Sequence, residues 1–382
     1  MNLAILGSTG SIGKSAVSVA KGLDNINVVG LTANNRARSL LEQALDTSAD
    51  IAVIASGESY KKNKELFSEN SLAKDITLYS GREGIEKLIT DKRVDVVVNG
   101  LSGFAGLKPT LTALKAGKKV AIANKEAIVM GWPLIKEEIQ YAGQLMPVDS
   151  EHSAVFQLLN GEDIEDVAKI ILTASGGAVY NRTDLENITP RECLAHPNWD
   201  MGVKITVDSA TLMNKGLELI EAHNLFGIAY EKMEVYIHPQ SLVHALIHYV
   251  DGTLTAHLSP PDMRLPIQYA LTAPGRQPAA GKSLSVEDIK ELRFSEPDKE
   301  RFPALDTALE AAKEGIAALV ALCAADEAVI KAFMSGKIKF TRISSAVKEA
   351  VKEFKENSAG TLEEIEELYF GIIEELSGRL GV

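Results

Sequence analysis

Residues 3–13 read Leu-Ala-Ile-Leu-Gly-Ser-Thr-Gly-Ser-Ile-Gly, a short apolar run that leads through three glycines into a segment of helix-forming residues. Gly7, Gly10 and Gly13 permit a tight turn and let a pyrophosphate approach the backbone at the start of a helix. The spacing is G-x-x-G-x-x-G instead of the commoner G-x-G-x-x-G, so a plain strand-to-helix connection is the alternative. Its place at the start of a βαβ pattern favours a dinucleotide site.

Short β-branched apolar runs continue to alternate with helical stretches up to about residue 150. Strands without a polar face are typical of a parallel sheet that helices cover on both sides. We therefore predict an α/β fold with an N-terminal Rossmann-like, doubly wound domain over residues 1–149. The predicted strands are Leu3–Gly7, Asn27–Ala33, Ile51–Ala55, Ile76–Tyr79, Val94–Asn99, Val120–Ala123 and Leu145–Val148.

The rest of the chain predicts further domains, since a single core rarely grows beyond roughly 250–300 residues. Residues 150–275 have a mixed α+β pattern, which we interpret as a catalytic domain that binds metal and substrate. Residues 276–300 are predicted to be a linker, and residues 301–382 a C-terminal helical domain. Within the α+β part, Leu242–Val250 and Thr253–Ser259 flank an Asp-Gly pair, which predicts a hairpin.

Composition excludes several classes of protein. The net charge is −12, with no stripe of Lys and Arg, so we expect no nucleic-acid partner. Two cysteines, Cys193 and Cys323, cannot build a disulfide framework, which favours a reducing, cytoplasmic location. Neither a signal peptide nor an apolar run of roughly 18–20 residues is apparent, so no membrane partner is expected.

The end of the second predicted strand indicates which dinucleotide binds. Residues 31–36 read Leu-Thr-Ala-Asn-Asn-Arg and contain no Asp or Glu that could hold the ribose 2′-hydroxyl of NAD. Arg36 could instead pair with the 2′-phosphate of NADP, although an exposed arginine is often only solvated. We therefore predict NADP(H).

Three carboxylates form a candidate metal site. Asp149 and Glu151 are alternate residues after the last strand of the first domain, and an extended chain would point both in one direction. Glu218 lies on a predicted helix, four residues after Asn214 and three after Lys215, which places the three on one face. A solvated carboxylate pair and a surface ion pair are the alternatives. Oxygen ligands without cysteine favour Mg²⁺ or Mn²⁺ over Zn²⁺.

Two further segments suit an anionic substrate. Ser175 and the two glycines after it follow an apolar run, and such a turn exposes backbone N–H groups to a phosphate, although it is equally compatible with a plain turn. Residues 195–203 form a loop by their Pro and Gly, yet they carry His196, Trp199 and Met201. We interpret this loop as a lid.

Nine motifs appear together and in order: GSTGSIG, NGLSG, ANKEAIV, PVDSEHSA, SGG, HPNWDMG, TVDSATLMNKGLE, HPQSLVHA and PDMR. In this combination the chain resembles the 1-deoxy-D-xylulose 5-phosphate reductoisomerase family through most of its first 270 residues. The resemblance implies isomerisation and NADPH-dependent reduction of that sugar phosphate to 2-C-methyl-D-erythritol 4-phosphate, a step of non-mevalonate isoprenoid synthesis. It also implies a homodimer.

The resemblance implies a role for each matching residue. The implied metal ligands are Asp149, Glu151 and Glu218. The implied catalytic residues are Lys125, Glu151, His152, His196 and Lys215. The implied cofactor-binding residues are Gly7, Ser8, Thr9, Gly10, Ser11, Ile12, Asn34, Asn35, Arg36, Asn124, Glu126, Gly202 and Met263. The implied substrate-binding residues are Lys125, Ser150, Glu151, Ser175, His196, Asn198, Trp199, Met201, Ser209, Asn214, Lys215, Glu218, Ser241 and His244.

Two other functions fit the N-terminal pattern. A dehydrogenase of the semialdehyde or homoserine type would share the first domain, but the semialdehyde enzymes need a reactive cysteine and Cys193 lies at no clear helix start. A non-catalytic NADP-binding module would leave the three carboxylates, the lid and the phosphate-type turn without a purpose.

Overall fold

The computed structural model describes residues 1–382, which divide into two compact units. Unit 1 is formed by Met1–Asn124, Pro133–Asp149 and Asp262–Lys282. Unit 2 is formed by Lys125–Trp132, Ser150–Pro261 and Ser283–Val382.

The core of unit 1 is a seven-stranded sheet. Its strands are β1 Asn2–Leu6, β2 Asn27–Ala33, β3 Ile51–Ile54, β4 Thr77–Ser80, β5 Val96–Asn99, β6 Lys119–Ile122 and β7 Leu145–Pro147. All pairings are parallel, in the order β4-β3-β2-β1-β5-β6-β7, so the seven predicted strands and the doubly wound fold are confirmed. The strand order reverses at β1, which opens a crevice beside the glycine turn.

Helices cover both faces of this sheet, because its strands are apolar throughout: Leu3, Ala4 and Ile5 are all fully buried. The helices that follow these strands are α1 Ser11–Gly22, α2 Ala37–Thr47, α3 Gly57–Ser68, α4 Gly81–Ile89, α5 Leu107–Lys115 and α6 Lys125–Glu138. Helix α6 is shared, since its first residues, Lys125–Trp132, are part of unit 2.

Unit 2 contains a four-stranded sheet and the helices that carry the charged site. Helices α7 Ser150–Leu158, α8 Pro190–Cys193, α9 Val203–Thr211 and α10 Met213–Phe226 come from its central part. The strands are β8 Val167–Ala174, β9 Met233–Ile237, β10 Val243–Tyr249 and β11 Leu254–Leu258, in the order β11-β10-β8-β9. Strands β10 and β11 pair antiparallel, which confirms the predicted hairpin.

Helix α11, Arg264–Thr272, returns the chain to unit 1, where it packs on α1 through buried residues that include Ile267 and Leu271. The segment Asp262–Lys282 of unit 1 therefore crosses the predicted boundary between a catalytic domain ending at 275 and a linker from 276. An apolar helix face does not say which neighbour it will cover, so the sequence could not reveal this return.

Four helices complete unit 2: α12 Ala304–Glu314, α13 Ile316–Met334, α14 Arg342–Phe354 and α15 Leu362–Leu380. Helix α13 is buried on nearly every side by α12, α14 and α15. Helix α12 packs on α10, where a Cβ added at Gly216 would lie 2.5 Å from Cβ of Ala308. The helices beyond residue 300 thus share a compact unit with the central sheet. None of the helices combines the length and apolar character that a membrane crossing requires.

Candidate active site

Glu218 is the centre of a buried charged site on α10. Asn214 Nδ2 donates to Glu218 Oε1 at 2.5 Å, and Lys215 Nζ donates to Glu218 Oε2. Lys125 Nζ, from the start of α6, lies 3.5 Å from Glu218 Oε1. The side chains of Lys215 and Glu218 are only 5% and 1% exposed, so this is no surface ion pair. Helical spacing predicted the contacts of Asn214 and Lys215 with Glu218. The contact of Lys125 with Glu218 depends on the tertiary structure.

Glu151 faces Glu218 from the first turn of α7. Its Oε1 accepts from Ser150 Oγ at 2.9 Å and lies 3.0 Å from Nδ1 of His244, which belongs to β10. Lys215 Nζ lies 3.4 Å from Glu151 Oε2. One ammonium therefore bridges two carboxylates that are far apart in sequence.

The expected extended geometry of Asp149 and Glu151 is wrong. Strand β7 ends at Pro147 and α7 begins at Ser150, so Glu151 lies on a helix and not on an extended chain. The two carboxylates still converge, because Asp149 directly precedes the first helical turn. Oxygen atoms of Asp149, Glu151 and Glu218 all lie within 4.8 Å of one another, and hard oxygen donors of this kind suit Mg²⁺ or Mn²⁺.

His152 is buried completely beneath this site. Its Nε2 lies 2.9 Å from the backbone oxygen of Glu218, and its Nδ1 lies 3.5 Å from Glu221 Oε2. His152 therefore links α7 to α10, next to the residues that carry the two carboxylates. Glu221 was not predicted, since a carboxylate three residues after Glu218 reads as ordinary helix composition.

The predicted phosphate-type turn meets the lid and α9. Ser175 Oγ lies 2.8 Å from His196 Nε2 and 3.3 Å from Ser209 Oγ. Gly177 has φ of 69°, and a Cβ there would lie 2.6 Å from Cα of Ala210, so a side chain cannot be accommodated. The turn is thus pressed against the end of α9. Ser209, which spacing alone could not place, is brought beside Ser175.

His196 organises the predicted lid, residues 195–203, from within. Its Nδ1 accepts the backbone N–H groups of Asn198 at 3.2 Å and Trp199 at 3.0 Å. The ring proton therefore lies on Nε2, where it can donate to Ser175 Oγ. Burial lowers the pKa of His196, which favours this neutral form.

The rest of the lid is anchored on the segment before β10. Asn198 Nδ2 donates to the Pro239 oxygen at 2.6 Å and to Ser241 Oγ at 2.9 Å. Ser241 itself has φ of 52°, an uncommon conformation for a residue with a side chain. The half-buried Trp199 ring stands edge-on to His244, with centroids 6.2 Å apart. Met201 is half-buried and Gly202 caps α9, so the loop leads from Trp199, beside His244, into α9.

In unit 1, the glycine turn is shaped by close backbone packing. Gly7 has φ of 74°, and a Cβ on Gly13 would lie 2.2 Å from the Gly7 oxygen. Arg36 Nη1 donates to the backbone oxygen of Thr9 at 3.0 Å, so the exposed arginine after β2 lies against the turn after β1. Asn124 ties down the loop after β5 by donating to the oxygens of Leu101 and Gly103.

Most of the other residues implied for the cofactor lie in unit 1, and two lie in unit 2. Ser8 is buried, with its hydroxyl 2.8 Å from Gln43 Oε1, and Ser11 and Ile12 open α1. Asn34 and Asn35 are exposed just before Arg36, and Met263 directly precedes α11 in unit 1. Gly10 caps α1. Glu126 and Gly202 belong to unit 2 instead.

Family models cover most of this chain. The model described as 1-deoxy-D-xylulose 5-phosphate reductoisomerase matches residues 3–131, and that for the C-terminal domain of the same enzyme matches residues 145–226. A third, described as DXP reductoisomerase C-terminal domain, matches residues 258–370.

A 1-deoxy-D-xylulose 5-phosphate reductoisomerase of Desulforamulus reducens is 45% identical over 370 residues, which cover 96% of this chain and 95% of that protein. The chain belongs to this family. The reductoisomerase of Thermomicrobium roseum is 46% identical over 351 residues, which cover 90% of this chain and 88% of that protein.

Solved reductoisomerase structures share the whole fold. A crystal structure of DOX-P reductoisomerase in complex with NADPH, fosmidomycin and magnesium is 34% identical, with a TM-score of 0.93 over 100% of this chain and 98% of that one. The Zymomonas mobilis reductoisomerase in complex with NADPH is 36% identical, with a TM-score of 0.89 over 99% of this chain and 98% of that one.

Proposed function

We propose that this reductoisomerase-family chain converts 1-deoxy-D-xylulose 5-phosphate to 2-C-methyl-D-erythritol 4-phosphate in isoprenoid precursor synthesis, using NADPH and Mg²⁺ or Mn²⁺. The observation that carries the proposal is the buried arrangement of Glu151, Lys215 and Glu218 under a lid that also touches Ser175. Carboxylates, ammonium groups and hydroxyls meet there in a form that suits a polar, anionic substrate.

The glycine turn of unit 1 fits NADPH. A Cβ on Gly7 would lie 2.9 Å from the Gly100 oxygen, so only glycine fits this position of the turn after β1, where a pyrophosphate would approach. Arg36 is exposed and lies against this turn, in a suitable position for a 2′-phosphate. No acidic residue occurs between Leu31 and Arg36 to select NAD.

The carboxylates of Asp149, Glu151 and Glu218 would hold the divalent ion, which supplies Lewis-acid polarisation of the substrate oxygens when bound. Lys215 and Lys125 neutralise this dense negative charge and can orient substrate oxygen atoms. We assign proton transfer to Glu151, whose carboxylate would be a weaker base while it binds the metal.

We assign the substrate phosphate to Ser175, Ser209, Asn214 and Lys215, with Ser150, Asn198, Ser241 and His244 around the rest of the substrate. Ser175 and Ser209 present hydroxyls 3.3 Å apart at the glycine-rich turn, which supports the phosphate assignment. His196 and Trp199 would close the site and exclude water during the reaction.

The thiols argue against a semialdehyde dehydrogenase. Burial raises the pKa of the Cys193 thiol to about 12, and burial likewise raises the pKa of Cys323 well above its usual value. Neither would be a thiolate at neutral pH, and the thiolate is the nucleophile that such enzymes need.

Turnover tests the proposal directly. Purified protein should oxidise NADPH when given 1-deoxy-D-xylulose 5-phosphate and Mg²⁺, and product identity should be checked by mass spectrometry. EDTA should abolish the reaction and added Mn²⁺ or Mg²⁺ should restore it. Absence of turnover, together with intact NADPH binding, would favour the NADP-binding module instead.

We further propose that the enzyme is a cytoplasmic homodimer. Two free, buried cysteines are consistent with a reducing compartment. Leu254 begins the edge strand β11, and Val250 lies in the turn that precedes this strand. Their side chains are 55% and 66% exposed, which leaves apolar surface at the edge of the sheet available to a second copy. Sedimentation equilibrium should give twice the chain mass of 41.1 kDa. A monomeric mass at assay concentration would contradict the dimer.

A further inference from the structure

A second charged cluster lies outside the site assigned to metal and substrate. Lys204 Nζ is 2.6 Å from Asp326 Oδ2, 2.8 Å from Asp208 Oδ2 and 3.3 Å from Glu126 Oε1. We call these four residues the Lys204 cluster. Glu126 comes from α6, Lys204 and Asp208 from α9, and Asp326 from α13, so one ammonium joins three helices of unit 2.

The charges of the Lys204 cluster do not balance. The carboxyl side chains of Glu126, Asp208 and Asp326 are 9%, 3% and 1% exposed, while the single ammonium is 22% exposed. Burial and the neighbouring Asp326 raise the pKa of Asp208 well above its usual value. A buried carboxyl group next to another one ionises at a high cost, so the Asp208 carboxyl keeps its proton.

Lys125 supplies a second positive charge near Glu126, but its ammonium also lies 3.5 Å from Glu218 Oε1. Burial opposes ionisation of Glu126, yet Lys204 lowers its pKa, so Glu126 stays negative. Cys193 and Cys323 also face the cluster, and burial keeps both thiols neutral. Tyr369 donates instead to Glu327, at 2.6 Å. The proton that Asp208 keeps therefore lowers the repulsion between carboxyl groups where α9 meets α13.

Helix α9 links this cluster to the candidate active site. It starts after Gly202, the residue that caps the helix at the end of the lid. Ser209, which directly follows Asp208, lies 3.3 Å from Ser175 at the phosphate-type turn. Any displacement of α9 from α13 would move both the lid and this serine.

Building on the proposed function, we propose that Lys204, Asp208 and Asp326 are positioning residues: the Lys204 ammonium, in contact with both carboxyl groups, holds α9 on α13 and so fixes Ser209 and the lid for the substrate phosphate. The side chains of Lys204, Asp208 and Asp326 meet at one ammonium, and none of the three is itself assigned to the substrate or the metal. Ionisation of Asp208 would add a negative charge to the cluster and weaken phosphate binding as pH rises.

The variants Asp326→Asn and Asp326→Leu distinguish a role in positioning Ser209 and the lid from a role in the stability of the fold alone. The amide of asparagine can donate to an ionised Asp208, so this variant removes one carboxyl group and keeps a hydrogen-bond donor beside Asp208. Leucine keeps the volume but removes the hydrogen bond. Glu327→Gln is the matched control, because it alters the next carboxylate on the same helix, which pairs with Tyr369.

We expect Asp326→Leu to raise KM for 1-deoxy-D-xylulose 5-phosphate on the order of 10- to 100-fold, with KM for NADPH unchanged. Glu327→Gln should lower the melting temperature and leave both KM values near wild type. Asp326→Asn should restore wild-type KM at neutral pH. If Asp326→Leu behaves like Glu327→Gln, the positioning role is wrong.

The pH dependence gives a second, independent test. A raised native pKa means that the contribution of Asp208 is complete at low pH and is lost as pH rises through the native pKa. The melting temperature of the wild type should therefore fall more steeply on the alkaline side than that of Asp326→Asn, and substrate KM should rise in parallel. Identical alkaline melting profiles would overturn the inference even if Asp326→Leu fails to fold. If the wild-type melting temperature falls more steeply at alkaline pH but the protein shows no turnover, only the proposed function is contradicted.

Discussion

The glycine turn of unit 1 is built from backbone that is continuous in sequence, whereas the Glu218 site of unit 2 is built from side chains that four separate segments deliver. Gly7 and Gly13 shape the first site by what they lack, because an added Cβ would collide with backbone atoms. Glu151, Lys125 and His244 reach the second site from α7, α6 and β10. Substitutions should therefore damage the two sites in different ways.

Glu218→Gln should have the largest effect. Glutamine removes the anionic ligand and leaves Lys215 and Lys125 without their shared counterion, so kcat/KM should fall at least about 100-fold. NADPH affinity, measured by fluorescence titration, should stay within error because the glycine turn is untouched. Glu231→Gln, at an exposed carboxylate, is the control. Near-normal activity would remove Glu218 from the metal site.

Gly13→Ala should damage the other site through packing alone. Its Cβ would lie 2.2 Å from the Gly7 oxygen, so we expect a loss of roughly 1–3 kcal/mol in unfolding free energy and weaker NADPH binding. Gly22→Ala, at the end of the same helix, meets no atom within 4 Å and should be neutral or stabilising. Equal behaviour of the two variants in urea unfolding would show that the turn tolerates a side chain.

Arg36→Ala should reduce the preference for NADPH. Loss of a charge-assisted contact to the 2′-phosphate should lower kcat/KM for NADPH about tenfold and leave kcat/KM for NADH nearly unchanged. Arg38→Ala, an exposed arginine two residues further along, is the matched control. A parallel loss with both dinucleotides would assign Arg36 to the turn itself, through its bond to Thr9.

The smallest effect expected is a pH response of the lid. Protonation of His196 on Nδ1 would remove the acceptor for the N–H groups of Asn198 and Trp199. Because burial depresses the native pKa of His196, its contribution is present above the ordinary value of 6.5 and is lost as pH falls through the native pKa. The lid should therefore loosen on acidification.

Indole fluorescence without substrate measures this response and avoids titration of the substrate phosphate. In a Trp132→Phe protein the remaining signal comes from Trp199, since the chain has two tryptophans. A shift toward more exposed indole should appear below pH 6.5 and should be absent in His196→Asn. A flat profile in the His196 protein would show that the imidazole does not hold the lid.

Much of the fold could be predicted because its signals are local. Seven apolar strands in a βαβ pattern and the Asp251-Gly252 hairpin formed as predicted. The grouping of elements could not be predicted, since α11 packs on α1 instead of staying with the residues that precede it. An amphipathic face specifies burial but not a partner.

For the two sites, the sequence by itself determined the glycine turn and the helical face that joins Asn214, Lys215 and Glu218, because both depend on neighbours within one turn. Only the tertiary structure decided that Lys125 reaches Glu218, that Ser209 meets Ser175, and that Lys204 gathers carboxylates from three helices. These contacts join segments up to 122 residues apart, as between Lys204 and Asp326. No local periodicity encodes such a distance; burial of the apolar faces of unit 2 brings these charges together.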